Sequence, residues 1–175
     1  MKFYLKNSQS GFTLVETVIY VAAFAVLSVA ALQATIVVMK SFYTLRLNQS
    51  INGSATVALE RMSREIRNAY DVDGAASTFG VSPGRLTLKT KDDAGANTTV
   101  EFYVDAASQL GIKVGGTDNG LLVTKTVTVT NLIFRSISTT NSKAIKIEMT
   151  LHDSRAAASQ EVKFYDTIVL RGSVH

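Results

Sequence analysis

Residues Ser10-Gly11-Phe12-Thr13-Leu14-Val15-Glu16 lead directly into TVIYVAAFAVLSVAALQATIVVM, which runs from Thr17 to Met39. These 23 residues contain no charge, no glycine and no proline. Coiled as an α-helix they span about 35 Å, enough to cross the hydrocarbon core of a bilayer with some tilt. The polar residues inside the stretch, Thr17, Tyr20, Ser28, Gln33 and Thr35, are all uncharged. The stretch reads as a membrane segment. Glu16 is the one discordant residue, the only charge between Lys6 and Lys40. An acid deep in a membrane helix costs roughly 2.5–3.5 kcal/mol on insertion scales, so its presence asks for a function and a named partner. Lys2 and Lys6 on one side are balanced by Lys40 and Arg46 on the other, and the amino terminus tips the orientation toward a cytoplasmic N-terminus.

Composition agrees that part of the chain avoids water. Of 175 residues, 46% are apolar and 18% charged, against roughly 25% charged in an average soluble domain. This excludes a disordered acidic or basic tail and fits one domain of ordinary size with an apolar appendage. The absence of cysteine removes disulfides, thiolate metal sites and cysteine nucleophiles. A net charge of +4 does not by itself call for nucleic acid. A secretory signal peptide is the competing reading, with Lys2 and Lys6 as its basic region and Ala23-Phe24-Ala25 as its cleavage site. The apolar run continues well past that site, and Glu16 lies inside its leading edge.

A short dibasic leader, a glycine, Phe-Thr-Leu-x-Glu and a long apolar helix together resemble the N-terminal signal of the type IV pilin superfamily. The resemblance implies that prepilin peptidase cleaves after Gly11 and that the new terminal residue, Phe12, is N-methylated. It implies that Glu16, the fifth residue of the mature chain, serves filament assembly by pairing with the terminal amine of Phe12, in its own subunit or a neighbour. Each position has a physical reason. Glycine before the cut gives the peptidase an unhindered backbone, and cleavage creates an α-amino cation at the end of an apolar helix. Such a pair attracts strongly where water is scarce, but desolvation consumes much of the gain, so it sets register between subunits more than it adds net stability. Many major pilins carry a proline about two-thirds along this helix. Here Gln33 stands in that region, so the resemblance leans toward minor pilins and pseudopilins.

Beyond Lys40 the helical period continues. Ala55, Leu59, Met62, Ile66 and Tyr70 draw one apolar stripe, opposite a charged face with Glu60/Arg64 and Arg61/Glu65 at i,i+4. Gly53 interrupts the pattern and marks where the helix leaves its lipid-facing half. The helix is expected to end near Tyr70, with Gly74 free to take a left-handed conformation. Residues 58–69 are similar to the helix of J-type minor pseudopilins, and residues 169–172 to their final strand.

After a connecting loop over residues 71–84, which holds the only proline, Pro83, the period changes to two. Alternation appears at Leu86/Leu88, Val100/Phe102/Val104, Leu110/Ile112/Val114, Val127/Val129 and Ile145/Ile147/Met149/Leu151, and a last run covers residues 161–171. Leu132/Phe134 start what reads as a further run. Turn signals at 92–97, 115–120, 139–142 and 154–159 separate the runs, which favours an antiparallel sheet covered by the helix stripe. The expected fold is α+β and pilin-like, a long N-terminal helix on a C-terminal antiparallel sheet. Its expected parts are a leader over 1–11, a transmembrane and filament-core helix over 12–40, an amphipathic continuation over 41–70, the loop, and a globular sheet domain over 85–175.

Other chemistry is thinly supplied. Asp71-Val72-Asp73-Gly74 and Asp118-Asn119-Gly120 look superficially like calcium loops, but the EF-hand order fails and Ser82 stands where the bidentate acid belongs. Gly111, Gly115, Gly116 and Gly120 make no phosphate fingerprint, since no helix pattern follows. His152 beside Asp153 reads as a surface turn at a strand end. No nucleophile, base and orienter come together, so no enzyme, cofactor or metal is expected. The mature chain would keep a charge of +2 with dispersed bases, Arg85/Lys89/Lys91 being the one cluster, which disfavours nucleic acid. The expected protein is a minor subunit of a type IV pilus-like filament, with a J-type pseudopilin of type II secretion or a DNA-uptake pilus subunit as alternatives. Its expected partners are prepilin peptidase, other pilin or pseudopilin subunits, the inner-membrane assembly platform and the lipid bilayer. It would be anchored in the bacterial inner membrane with its globular domain outside the cytoplasm.

Overall fold

The computed structural model describes residues 11, 13–139, 142–156 and 160–171. A 55-residue helix, α1 (Leu14–Asn68), precedes eight strands among the described residues. These are β1 (Asp71–Val72), β2 (Leu86–Lys91), β3 (Asn97–Val104), β4 (Leu110–Val114), β5 (Thr117–Leu121), β6 (Val127–Ser138), β7 (Lys143–Asp153) and β8 (Glu161–Val169). By its contacts the chain divides into two compact units, Met1–Tyr43 and Thr44–His175.

In the first unit the apolar helix surface is exposed all round, and none of its most hydrophobic window is buried. The helix itself accommodates its small polar residues. The hydroxyls of Thr17, Ser28, Thr35 and Ser41 donate to the carbonyls of Leu14, Phe24, Ala31 and Val37 at 2.8–3.0 Å. A hydroxyl satisfied on its own backbone needs no water, which is the condition a hydrocarbon environment sets.

In the second unit Leu47, Ile51, Ala55, Ala58, Met62, Ile66 and Ala69 are buried. Their spacing of three and four lays one stripe along the helix. Gly53 does not interrupt α1, and it is exposed, with open space where a Cβ would stand. At the end of the helix Ala69 N–H still reaches the Glu65 carbonyl, and Tyr70 N–H then donates to the Lys89 carbonyl of β2. Sheet pairing thus takes over from the helix, and Gly74 is not among the glycines of positive φ. Asp73 makes the turn instead, its Oδ1 accepting from Ala75 and Ala76 N–H at 3.2 Å.

The strands form two antiparallel sheets rather than the single one expected, in the orders β1-β2-β3-β4-β5 and β6-β7-β8. In the first, Leu86, Phe102 and Ile112 lie opposite one another across three strands, as do Leu88, Val100 and Val114. In the second, Phe134 pairs with Ile147, Leu132 with Met149 and Ile145 with Ile168. Apolar residues of both sheets join the helix stripe in a single buried cluster. The segment before β2, expected as a plain loop, contributes β1 and then follows β6. Gly80 and Gly84 N–H donate to the Phe134 and Leu132 carbonyls. Gly84 is required there, because a Cβ would stand 3.0 Å from the Leu132 carbonyl oxygen and 3.1 Å from the Phe134 ring.

Two further expectations are corrected. Val127/Val129 and Leu132/Phe134 belong to one strand, β6, whose register with β7 shifts between Val129 and Asn131. The odd-to-even change of buried phase that reads as a strand break is a β-bulge, one extra residue at Thr130 that keeps both pairs facing inward. The turn-like Thr117–Leu121 forms β5, fully exposed and paired irregularly with β4.

Candidate functional site

Thr13 caps α1. Its carbonyl accepts from Thr17 N–H at 3.2 Å and its Oγ1 from Glu16 N–H at 3.3 Å. The run Thr13-Leu14-Val15-Glu16 has the capping-box pattern, in which the acid three residues after the cap reaches back to the cap's own N–H. Glu16 is turned elsewhere: its Oε1 accepts the Tyr20 hydroxyl, one turn further along, at 3.0 Å. The carboxylate belongs to a half-buried residue in the first helical turn, where the macrodipole favours a negative charge. Along the helix the next basic residue is Lys40, about 36 Å away, so the described part of the first unit supplies no nearby counter-ion.

Gly11 is exposed, and a Cβ built on it would meet nothing within 4 Å. Among the described residues nothing requires glycine at that position. Phe12 and the leader bases Lys2 and Lys6 lie outside the described residues.

Several carboxylates of the second unit are engaged in structure. Lys143 holds Asp71 at 2.6 Å and, with its hydrogen bond as the main cause, keeps that carboxyl below its usual range. Asp118 accepts from Gly120 N–H and from the Tyr103 hydroxyl, each at 2.9 Å, which lowers its carboxyl, while burial and Asp118 raise the Tyr103 phenol. Both calcium-like stretches therefore have their carboxylates occupied within the fold, and no metal-ligating cluster occurs among the described residues. Within the basic cluster, Arg85 faces Glu101 at 3.6 Å, and Glu101 also takes Lys113 at 3.5 Å. The charged helix face carries both expected pairs, Arg61–Glu65 at 2.9 Å and Arg64–Glu60 at 3.9 Å.

Asp153 corrects the reading of a surface turn. It ends β7 with no exposed surface, gripped by the Arg155 guanidinium at 2.9 and 2.7 Å and by Arg155 N–H at 3.0 Å. Ser50 of α1 also bonds to it, and these contacts, that of Arg155 foremost, hold its carboxyl down at about 2. The alternation Ile145, Ile147, Met149 and Leu151 puts Asp153 on the inward phase of β7, a signal the residue type masks because acids usually face solvent.

The family model of the prokaryotic N-terminal methylation motif matches residues 6–32. The matched segment contains the glycine, the capped helix start, Glu16 and most of the apolar run. The N-terminus thus carries the prepilin-type methylation motif, which supports a relation to the type IV pilin superfamily. No curated protein and no solved structure matches it significantly. The motif implies processing by prepilin peptidase and assembly with other pilins, and with the apolar helix it is consistent with membrane anchoring. In the sequence alone Tyr20 reads as one more tolerated polar residue, and its bond to Glu16 goes unnoticed. Its signal is the four-residue spacing from the lone acid.

Proposed function

We propose that this pilin-like chain is a minor subunit of a type IV pilus-like filament. In this reading residues 1–11 form the leader, prepilin peptidase cuts between Gly11 and Phe12, and Phe12 is N-methylated. Glu16 then takes a terminal amine during assembly. The observation that carries the reading is Glu16 itself: the one charge between Lys6 and Lys40, bonded to a phenol hydroxyl and 24 residues before the next basic residue of the helix. Insertion of such a helix leaves the acid short of a counter-charge, and cleavage beside Phe12 creates one. The unbroken helix, without proline from Leu14 to Asn68, supports a minor rather than a bulk subunit. The globular unit is placed outside the cytoplasm, with the helix held in the inner membrane beside an assembly platform.

A pseudopilin of type II secretion is the second reading, favoured by the J-type resemblance of residues 58–69. Mass spectrometry of the mature N-terminus tests the first step. A methylated Phe12 is expected; a start at Val26 means ordinary signal-peptide cleavage and overturns the proposal, as does retention of Met1 in cells with working prepilin peptidase. For assembly, Glu16→Ala should yield a processed, membrane-held protein that does not enter filaments. Normal incorporation of that variant contradicts the role of Glu16.

A further inference from the structure

Four hydroxyls of the first unit, on Thr17, Ser28, Thr35 and Ser41, turn back onto carbonyls of their own helix. Tyr20 differs, because its hydroxyl donates to a side chain, Oε1 of Glu16, at 3.0 Å. The choice has a direction. Thr13 already caps the Glu16 N–H, so the local sequence offers the carboxylate a return bond toward the N-terminus. The carboxylate is drawn instead toward the residue one turn later. Tyr20 follows Glu16 by four residues, about 6 Å along the helix axis, whereas Phe12 precedes Glu16 by four residues in the sequence. A hydrogen bond to a charged acceptor is among the stronger ones, and it weighs more where water is scarce.

Resting on the assembly role of Glu16, we propose that Tyr20 is the positioning residue of the assembly carboxylate. Its hydroxyl anchors one oxygen away from the chain's own terminus, and the other oxygen is left to the ammonium of a neighbouring subunit. Tyr20 thereby favours pairing between subunits over pairing within one, and keeps the acid satisfied while the subunit waits in the membrane.

The test uses the full-length protein in its own bacterium, reading leader cleavage, membrane level and chemical crosslinking to neighbouring subunits. Tyr20→Phe keeps the ring and removes only the hydroxyl. It should be cleaved and inserted at native level but crosslink about tenfold less, the scale of one lost hydrogen bond to a charged group. Tyr20→Gln loses the ring but offers an amide donor at the same spacing, and should recover most of the yield. Native-like crosslinking of Tyr20→Phe overturns the proposal. So does equal loss with both substitutions, since a donor to Glu16 is then not what the hydroxyl supplies. Glu16→Ala run alongside separates the two claims. If it fails to assemble while Tyr20→Phe succeeds, only the role of Tyr20 falls; if Glu16→Ala assembles normally, the underlying reading falls first.

Discussion

Replacing Asp153 by asparagine removes the charge from a buried polar latch that joins three parts of the second unit. Asp153 takes Ser50 from α1, ends β7 and fixes Arg155 in the turn that follows. Its carboxyl is lowered from 3.8 to about 2. At 1.36 kcal/mol per pKa unit this depression corresponds to about 2 kcal/mol of stability. Because the folded value lies below the unfolded one, that contribution is complete well above the unfolded value and is lost as the pH falls through about 4 toward 2. The assay is urea unfolding of residues 44–175, which hold every buried residue among those described. At neutral pH Asp153→Asn should be less stable than the native fragment by about 2 kcal/mol, and the gap should close as the pH is lowered to about 2. Other lowered carboxylates, Asp71, Asp118 and Glu148, weaken both proteins equally in acid and cancel in the difference. A gap independent of pH would show that Asp153 contributes packing and not charge, and would refute the reasoning.

Three further outcomes are expected. Met62→Ala removes a fully buried side chain from the middle of the helix stripe, and chemical denaturation should record a loss of about 2–5 kcal/mol. Gly111→Ala places a Cβ 2.6 Å from the Tyr103 ring, which must swing away from Asp118 and from Lys113, whose Nζ lies 4.4 Å from the ring centroid. A loss of about 1–2 kcal/mol is expected, with the Tyr103 phenol titrating lower than in the native protein, as followed by ultraviolet absorbance. Deleting Thr130 takes the bulge out of β6 and turns either Val127 and Val129 or Leu132 and Phe134 toward solvent. At roughly 1.5–3 kcal/mol for each exposed side chain, the loss should leave the fragment largely unfolded by circular dichroism.

The elements legible in the sequence are those whose burial follows one strict period. The stripe from Ala55 to Ile66 and the alternations of β2, β3, β4 and β7 depend on little beyond which face meets the core. Readings fail where a partner element overrides the local pattern. Thr117–Leu121 is made of turn-forming residues and becomes a strand only because β4 pairs with it. The break in phase at Thr130 resembles a boundary because a bulge and a new strand leave the same trace in one dimension. Asp153 reads as exposed because acids usually are, and one of the groups that makes its burial tolerable, Ser50, lies on a different element far back in the chain. At the N-terminus the opposite holds. Gly11, Thr13 and Glu16 are visible as a motif, and what the structure adds there is the aim of the Glu16 side chain.

The buried residues among those described begin at Leu47, so the folded core borrows no side chain from the unit that ends at Tyr43. Substitutions in the two halves should therefore be separable in phenotype: damage after Leu47 unfolds the second unit, whereas damage around Glu16 leaves that unit folded. A lineage can exchange one half for a new purpose while inheriting the other unchanged, as a tool keeps its handle when the blade is replaced.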